Sequence, residues 1–189
     1  IEGGARVEMW GLRRGIYGLP LLSLVLCADA SPVSAQGPDA GGRRTIAAVR
    51  LGGDESITLD GRLDEPLWSR AVPAADFIQI DPANGSPATE PTEVRIVFNR
   101  DALYLGVTCF DSAPDRWIGW QLRRDEQLVS DDSFTWTIDT FLDGRTGYFF
   151  EMNPSGAMAD ALMGINGENR EWDGIWNARV RRSETGWSL

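Results

Sequence analysis

Residues 93–110, EVRIVFNRDALYLGVTCF, hold two apolar runs, Val94 to Phe98 and Leu103 to Phe110, with a polar turn between them. In the first run Val94, Ile96 and Phe98 share one face of an extended chain, while Glu93, Arg95 and Val97 share the other. That period of two belongs to a half-buried strand rather than a helix. The same pattern recurs outward along the chain: Ile46–Leu51, Ser56–Leu59, Phe77–Ile80, Phe134–Phe141, Tyr148–Asn153 and Ala178–Arg181 all read as short strands. Between them lie DPANGSPATEP (81–91) and DGRTG (143–147), whose Asn-Gly and Asp-Gly pairs favour turns. Only Glu65–Ala71 and the irregular stretch Trp117–Leu128 suggest helix. Many short strands with polar turns predict an all-β fold, a β-sandwich.

The 189 residues suit one domain with a real core. A net charge of −10, with acids spread throughout, argues against a nucleic-acid partner, because phosphate binding needs clustered cations. There is no histidine, which removes Ser-His-Asp and Cys-His catalysis and the usual zinc sites. Every basic side chain is arginine, for which we have no physical account.

Residues 1–35 read as a secretory signal with its start at Met9: Arg13-Arg14, then the apolar run Ile16–Leu26, then Val33-Ser34-Ala35 as a small-residue cleavage site. The run is too short to span a membrane comfortably. Cys27 lacks the small residue before it that lipidation requires, and once a signal is removed Cys109 is the only thiol. Residues 36–44, QGPDAGGRR, read as a linker, and 45–189 as the folded module. The expected location is therefore the periplasm, the outer membrane or the cell exterior. The final GWSL reads as a strand just begun, so the sandwich is expected to be cut short at its C-terminus.

Three constellations are candidates for chemistry. In LDGRLDEPLW (59–68), Asp60-Gly61 suits a turn, Asp64 an N-cap, and Glu65-Pro66 the first turn of a short helix carrying Leu67 and Trp68 inward. These roles make the stretch a fold marker rather than an active site. Asp131, Asp132 and Asp139 flank a strand and are the candidate ligands for a structural calcium ion; the competing reading makes them turn caps, with Arg124 or Arg145 pairing acids at the surface. The third constellation is aromatic. Beyond Trp10 the chain carries seven tryptophans, of which Trp68, Trp136 and Trp187 are expected in the core and Trp117 and Trp120 over a sheet edge. Trp172 and Trp176 sit in the polar stretch INGENREWDGIWN, and flat indoles beside Asn169, Glu171 and Asp173 are a pattern suited to stacking on sugar rings and bonding their hydroxyls.

ITLDGRLDEPLW (57–68), TEVR (92–95) and DALYLGV (101–107) together resemble the start of a family 9 carbohydrate-binding module. SDD (130–132), DTFLD (139–143), GY (147–148), Phe150, NPSG (153–156), Asp160 and WDGIW (172–176) are similar to exported bacterial proteins in which this domain precedes a region like an outer-membrane barrel. The resemblance covers about residues 45–189. It implies a jelly-roll sandwich that binds poly- or oligosaccharide, attached to glycoside hydrolases, with structural calcium and a terminal sugar held between tryptophans, here Trp172 and Trp176.

The expected function is thus a secreted, non-catalytic carbohydrate-binding module serving carbohydrate catabolism, with its partner a downstream enzyme or barrel domain of the same chain. Two alternatives remain at this point. One is a structural or interaction domain of an outer-membrane barrel protein. The other is a glycoside hydrolase component, which would need two carboxylates facing across a cleft, and the sequence singles out no such pair.

Overall fold

The computed structural model describes residues 44–189 in full, together with the backbone of two strands, β1 (Ala5–Trp10) and β2 (Leu22–Val25). The rest of the expected signal, and residues 36–43 of the expected linker, lie outside the described residues. The strands that follow are β3 (Arg44–Arg50), β4 (Thr92–Phe98), β5 (Leu103–Phe110) and β6 (Phe134–Asp139). Then come β7 (Gly147–Met152), β8 (Met158–Gly164), β9 (Gly167–Asn169), β10 (Arg181–Ser183) and β11 (Gly186–Ser188). Among the described residues the only helical pieces are two 3-10 turns, Pro66–Arg70 and Pro114–Arg116.

The ladder runs β10-β11-β5-β4-β3-β2-β1-β6-β7-β8-β9. β2–β3 and β3–β4 are parallel and the other pairings antiparallel. The two ends of this order lie face to face as the two sheets of a sandwich. Val94 and Ile96 of β4, Val107 and Cys109 of β5, and Trp187 of β11 pack against Phe134 and Trp136 of β6 and Met152 of β7 in one buried cluster. Burial pushes the Cys109 thiol pKa well above its ordinary value, so it is a core residue rather than a nucleophile.

A second cluster lies on the outer face of β4 and β5, where Leu67, Trp68 and Ala71 cover Val97 and Leu51. This explains why Val97 is buried although it falls on the polar side of the alternation: the stretch at 59–68 forms a lid there. Gly106 makes the lid possible, since a Cβ at that position would stand 2.8 Å from the Trp68 ring. The helical turn starts differently from the sequence reading. Its N-cap is Glu65, not Asp64, and the Glu65 carboxylate does not cap. It accepts from the Thr58 N–H (2.8 Å) and the Trp68 indole N–H (2.9 Å), pinning the lid at both ends.

Several expected elements are absent. Ser56–Leu59 and Phe77–Ile80 form no strand, because they lie outside the ladders and make at most isolated bridges such as Ile78 with Pro87. The expected helix at Trp117–Leu128 is an irregular strap whose N–H groups are taken by side chains from elsewhere. Conversely, β8 was not among the expected strands, because Ala159, Ala161 and the buried Asp160 blur its alternation.

Trp68→Ala removes the largest side chain of the outer lid, and a buried Trp truncated to Ala costs about 3–5 kcal/mol. Denaturant unfolding of that variant should show a loss in this range, with the near-ultraviolet signature of the inner cluster retained.

Candidate functional site

The segment 172–180 joins β9 to β10 as an extended chain outside the ladders. Exposure alternates along it: Trp172, Gly174, Trp176, Ala178 and Val180 are half-buried, while Asp173, Ile175, Asn177 and Arg179 are exposed. An extended backbone puts neighbouring side chains on opposite faces, so the geometry differs from the sequence expectation. The indoles of Trp172 and Trp176 turn inward together, away from Glu171 and Asp173. Trp172 packs 5.1 Å from the Tyr148 ring, and Trp176 meets Trp136 (5.5 Å) and Phe150 (5.1 Å) edge to face. The Asn169 carboxamide oxygen is used locally, accepting from the Glu171 N–H at 3.0 Å. The five residues expected to form a sugar platform are therefore neighbours along the chain but do not surround one ring.

The segment is held by Asp160 of β8, a carboxylate only 1 % exposed. Its Oδ1 accepts from the Gly174 N–H (3.0 Å), and its Oδ2 from the Trp176 indole N–H (2.8 Å) and the Arg124 guanidinium (2.7 Å). Arg124 also reaches Asp173 at 2.7 Å. A buried carboxylate is stable when it is paired and its lone pairs are filled. Asp160 meets both conditions, and by doing so it fastens two irregular segments to the sheet.

Asp131 and Asp132 do the same for the strap at 117–122. Asp131 accepts from the N–H groups of Trp120 (3.1 Å) and Gln121 (3.0 Å) and from the Asn153 carboxamide (2.7 Å). Asp132 accepts from Ile118 N–H (2.7 Å), Asn153 also donates to the Gln121 carbonyl, and the Ser155 hydroxyl donates to the Gly119 carbonyl. Under the strap, the Arg182 guanidinium lies 3.7 Å from the centre of the Trp117 ring. The strap's backbone is thus fixed residue by residue, yet Trp120 is 82 % and Leu122 74 % exposed. Trp120 does not cover a sheet edge. The sequence hid this because the anchoring carboxylates come from residues ten or more positions away.

Asp139 sits at the other end of β6, roughly 20 Å from Asp132 at the rise of a strand. It accepts from the N–H groups of Phe141 (3.1 Å), Asp143 (3.3 Å) and Gly144 (2.9 Å), closing the turn into β7. A calcium ion needs six to eight oxygens converging at 2.3–2.6 Å. Asp131, Asp132 and Asp139 do not converge, and among the described residues no cluster of three or more metal-binding side chains forms. This donor set does not fit a calcium site.

One further concavity, a cleft of about 160 Å³, opens between Leu103–Leu105 of β5 and Trp176–Arg179 of the extended segment. Trp136, Ile138 and Phe150 line one side, and Ile57–Leu59 with Gly61–Leu63 the other. Its described lining contains two arginines, Arg62 and Arg179, and no Asp or Glu. No family model, no curated protein and no solved structure matches the chain.

Asp160→Ala should free the 172–180 segment: a buried pair broken on one side costs about 3–5 kcal/mol. Hydrogen exchange should show the Gly174 amide losing protection, while the β6–β7 ladder keeps its own. The turn after β6 should respond to acid. The N–H groups of Arg145 and Thr146 and the Thr146 hydroxyl hold the Asp143 carboxyl below its ordinary value. A lowered folded value stabilises the turn above the unfolded carboxylate pKa of about 3.9 and is lost as pH falls through the lowered value. Amide exchange at Arg145 and Thr146, corrected for intrinsic rate, should therefore accelerate below about pH 4, and Asp143→Asn should show weaker protection at neutral pH.

Proposed function

We propose that this chain is a non-catalytic carbohydrate-binding β-sandwich, exported and carried as the sugar-binding part of a larger glycan-active or envelope protein. The observation that carries the reading is the Trp120 strap. Four buried or half-buried side chains, Asp131, Asp132, Asn153 and Ser155, immobilise a short loop whose outermost group is an exposed indole. A rigid aromatic presented to solvent binds at low entropic cost, and its flat face suits the C–H face of a sugar ring. Gln121, Arg123 and Glu126 in the same loop supply donors and acceptors for hydroxyls. A neutral sugar also avoids the repulsion that a chain of net charge −10 imposes on polyanions.

Trp172 and Trp176 support the site only indirectly, by ordering the sheet that carries the strap.

Affinity electrophoresis through gels containing xylan or soluble cellulose derivatives, with titration calorimetry on oligosaccharides, tests the proposal. The chain should be retarded by at least one glycan, and Trp120→Ala should weaken that binding by about tenfold or more, the loss of roughly 1.4 kcal/mol of stacking. Its unfolding midpoint should stay where it is, because an exposed side chain contributes little to stability. Absence of retardation on every glycan overturns the reading, and release of reducing sugar would move it to hydrolysis.

A further inference from the structure

The Trp120 strap carries its exposed groups in a row. From Trp117 to Leu122 exposure alternates residue by residue: Ile118, Trp120 and Leu122 are exposed, while Trp117, Gly119 and Gln121 are half-buried. That alternation belongs to an extended chain, whose neighbouring side chains leave on opposite sides. The inward side is tied down at each position. Trp117 packs on the Arg182 guanidinium, the Gly119 carbonyl accepts from the Ser155 hydroxyl, and the Gln121 carbonyl accepts from the Asn153 carboxamide. Gly119 lets the strap lie this close, since a Cβ there would stand 2.7 Å from the Ser155 hydroxyl oxygen. The outward side is therefore a fixed ridge, an indole between two aliphatic side chains. At a rise of about 3.3 Å per residue, the run from Ile118 to Leu122 gives the ridge a length of roughly 13 Å, more than one sugar ring covers. Exposed polar side chains stand at both ends, Asp115 and Arg116 before the row and Arg123 and Glu126 after it.

We propose that this ridge binds an internal stretch of a linear, neutral glycan, several rings long, and does not read a chain end. The inference rests on the reading of Trp120 as a sugar platform and adds how the ligand lies on it. A site that holds one terminal ring has to close around that ring, with a second flat face or a wall of polar groups opposite the first. Here the aromatic contact comes from one side. Among the described residues no second indole is exposed: Trp68, Trp136 and Trp187 are buried, and Trp117, Trp172 and Trp176 turn inward. Phe141, the other widely exposed aromatic ring, lies beyond the opposite end of β6. A ligand resting on Trp120 therefore keeps both of its ends in solvent. Rings beyond the one on the indole still gain contact, because Ile118 and Leu122 continue the apolar surface and the flanking polar side chains reach hydroxyls. The row follows an extended backbone, so these contacts accumulate along a chain whose successive rings turn C–H faces toward it.

Titration calorimetry of the whole chain against cello- and xylo-oligosaccharides, from the monosaccharide to the hexasaccharide, reads the length of ligand engaged. Affinity should rise by at least about tenfold from the disaccharide to the hexasaccharide, as more of the ridge is covered. Borohydride reduction opens the terminal ring of the hexasaccharide and should leave its affinity within about threefold. Leu122→Ala should weaken the hexasaccharide by about threefold more than the disaccharide, with the unfolding midpoint retained because the side chain is exposed. A smaller rise with length, a larger fall on reduction, or an equal effect of Leu122→Ala on both ligands overturns the proposal while the Trp120 platform stands. Binding to no glycan overturns both. Dimerisation in sedimentation that Trp120→Ala and Leu122→Ala abolish would assign the ridge to a second copy of the chain and overturn the proposal as well.

Discussion

The carboxylate of Asp160 is the point on which the sandwich's irregular half depends. Placed on a central stretch of β8 and almost wholly removed from water, it can persist only with donors around it. It finds them in Arg124, in the Gly174 N–H and in the Trp176 indole. Those three groups come from two segments that have no ladder of their own. One buried charge thereby does for them what strand pairing does elsewhere, and the aromatic stack of Trp136, Phe150 and Trp176 closes over the joint.

The same physics recurs at the ends of β6. Asp131 and Asp132 at one end and Asp139 at the other each gather backbone N–H groups of an adjoining loop. In sequence these acids look like ligands waiting for a cation, because Asp is the natural residue for both roles. What separates the roles is convergence. Here each carboxylate faces its own loop, and the strand between them holds them apart. The helix suggested at Trp117–Leu128 fails because the N–H groups that it would bond to carbonyls four residues back go elsewhere: Gln121 to Asp131, Leu122 and Arg123 to the Gln121 carboxamide oxygen, and Asp125 to the Met158 carbonyl.

Much of the site was half legible. The tryptophan load pointed to aromatic recognition, and the stretch INGENREWDGIWN looked polar enough to carry it. Its extended conformation then divided the set, with indoles on one face and carboxylates on the other. Trp120 carried no such signal: a tryptophan between Gly119 and Gln121 is as compatible with covering a sheet edge as with facing solvent. Its exposure follows from Asp131 and Asn153, which hold the strap's backbone and leave the side chain outside.

The sequence by itself determined most of the strands from β3 to β7, the turn at Asp60-Gly61 and the burial of three tryptophans. These follow from alternation and turn chemistry, which act between residues one or two positions apart and are written in the local order of side chains. Trp68, Trp136 and Trp187 are buried as that order requires. Only the tertiary structure decided which donors each buried aspartate serves, which indole stays in water, and that β5 and the 172–180 segment border one cleft. Those outcomes depend on partners tens of residues apart, brought together when the two sheets close, and no local period records them.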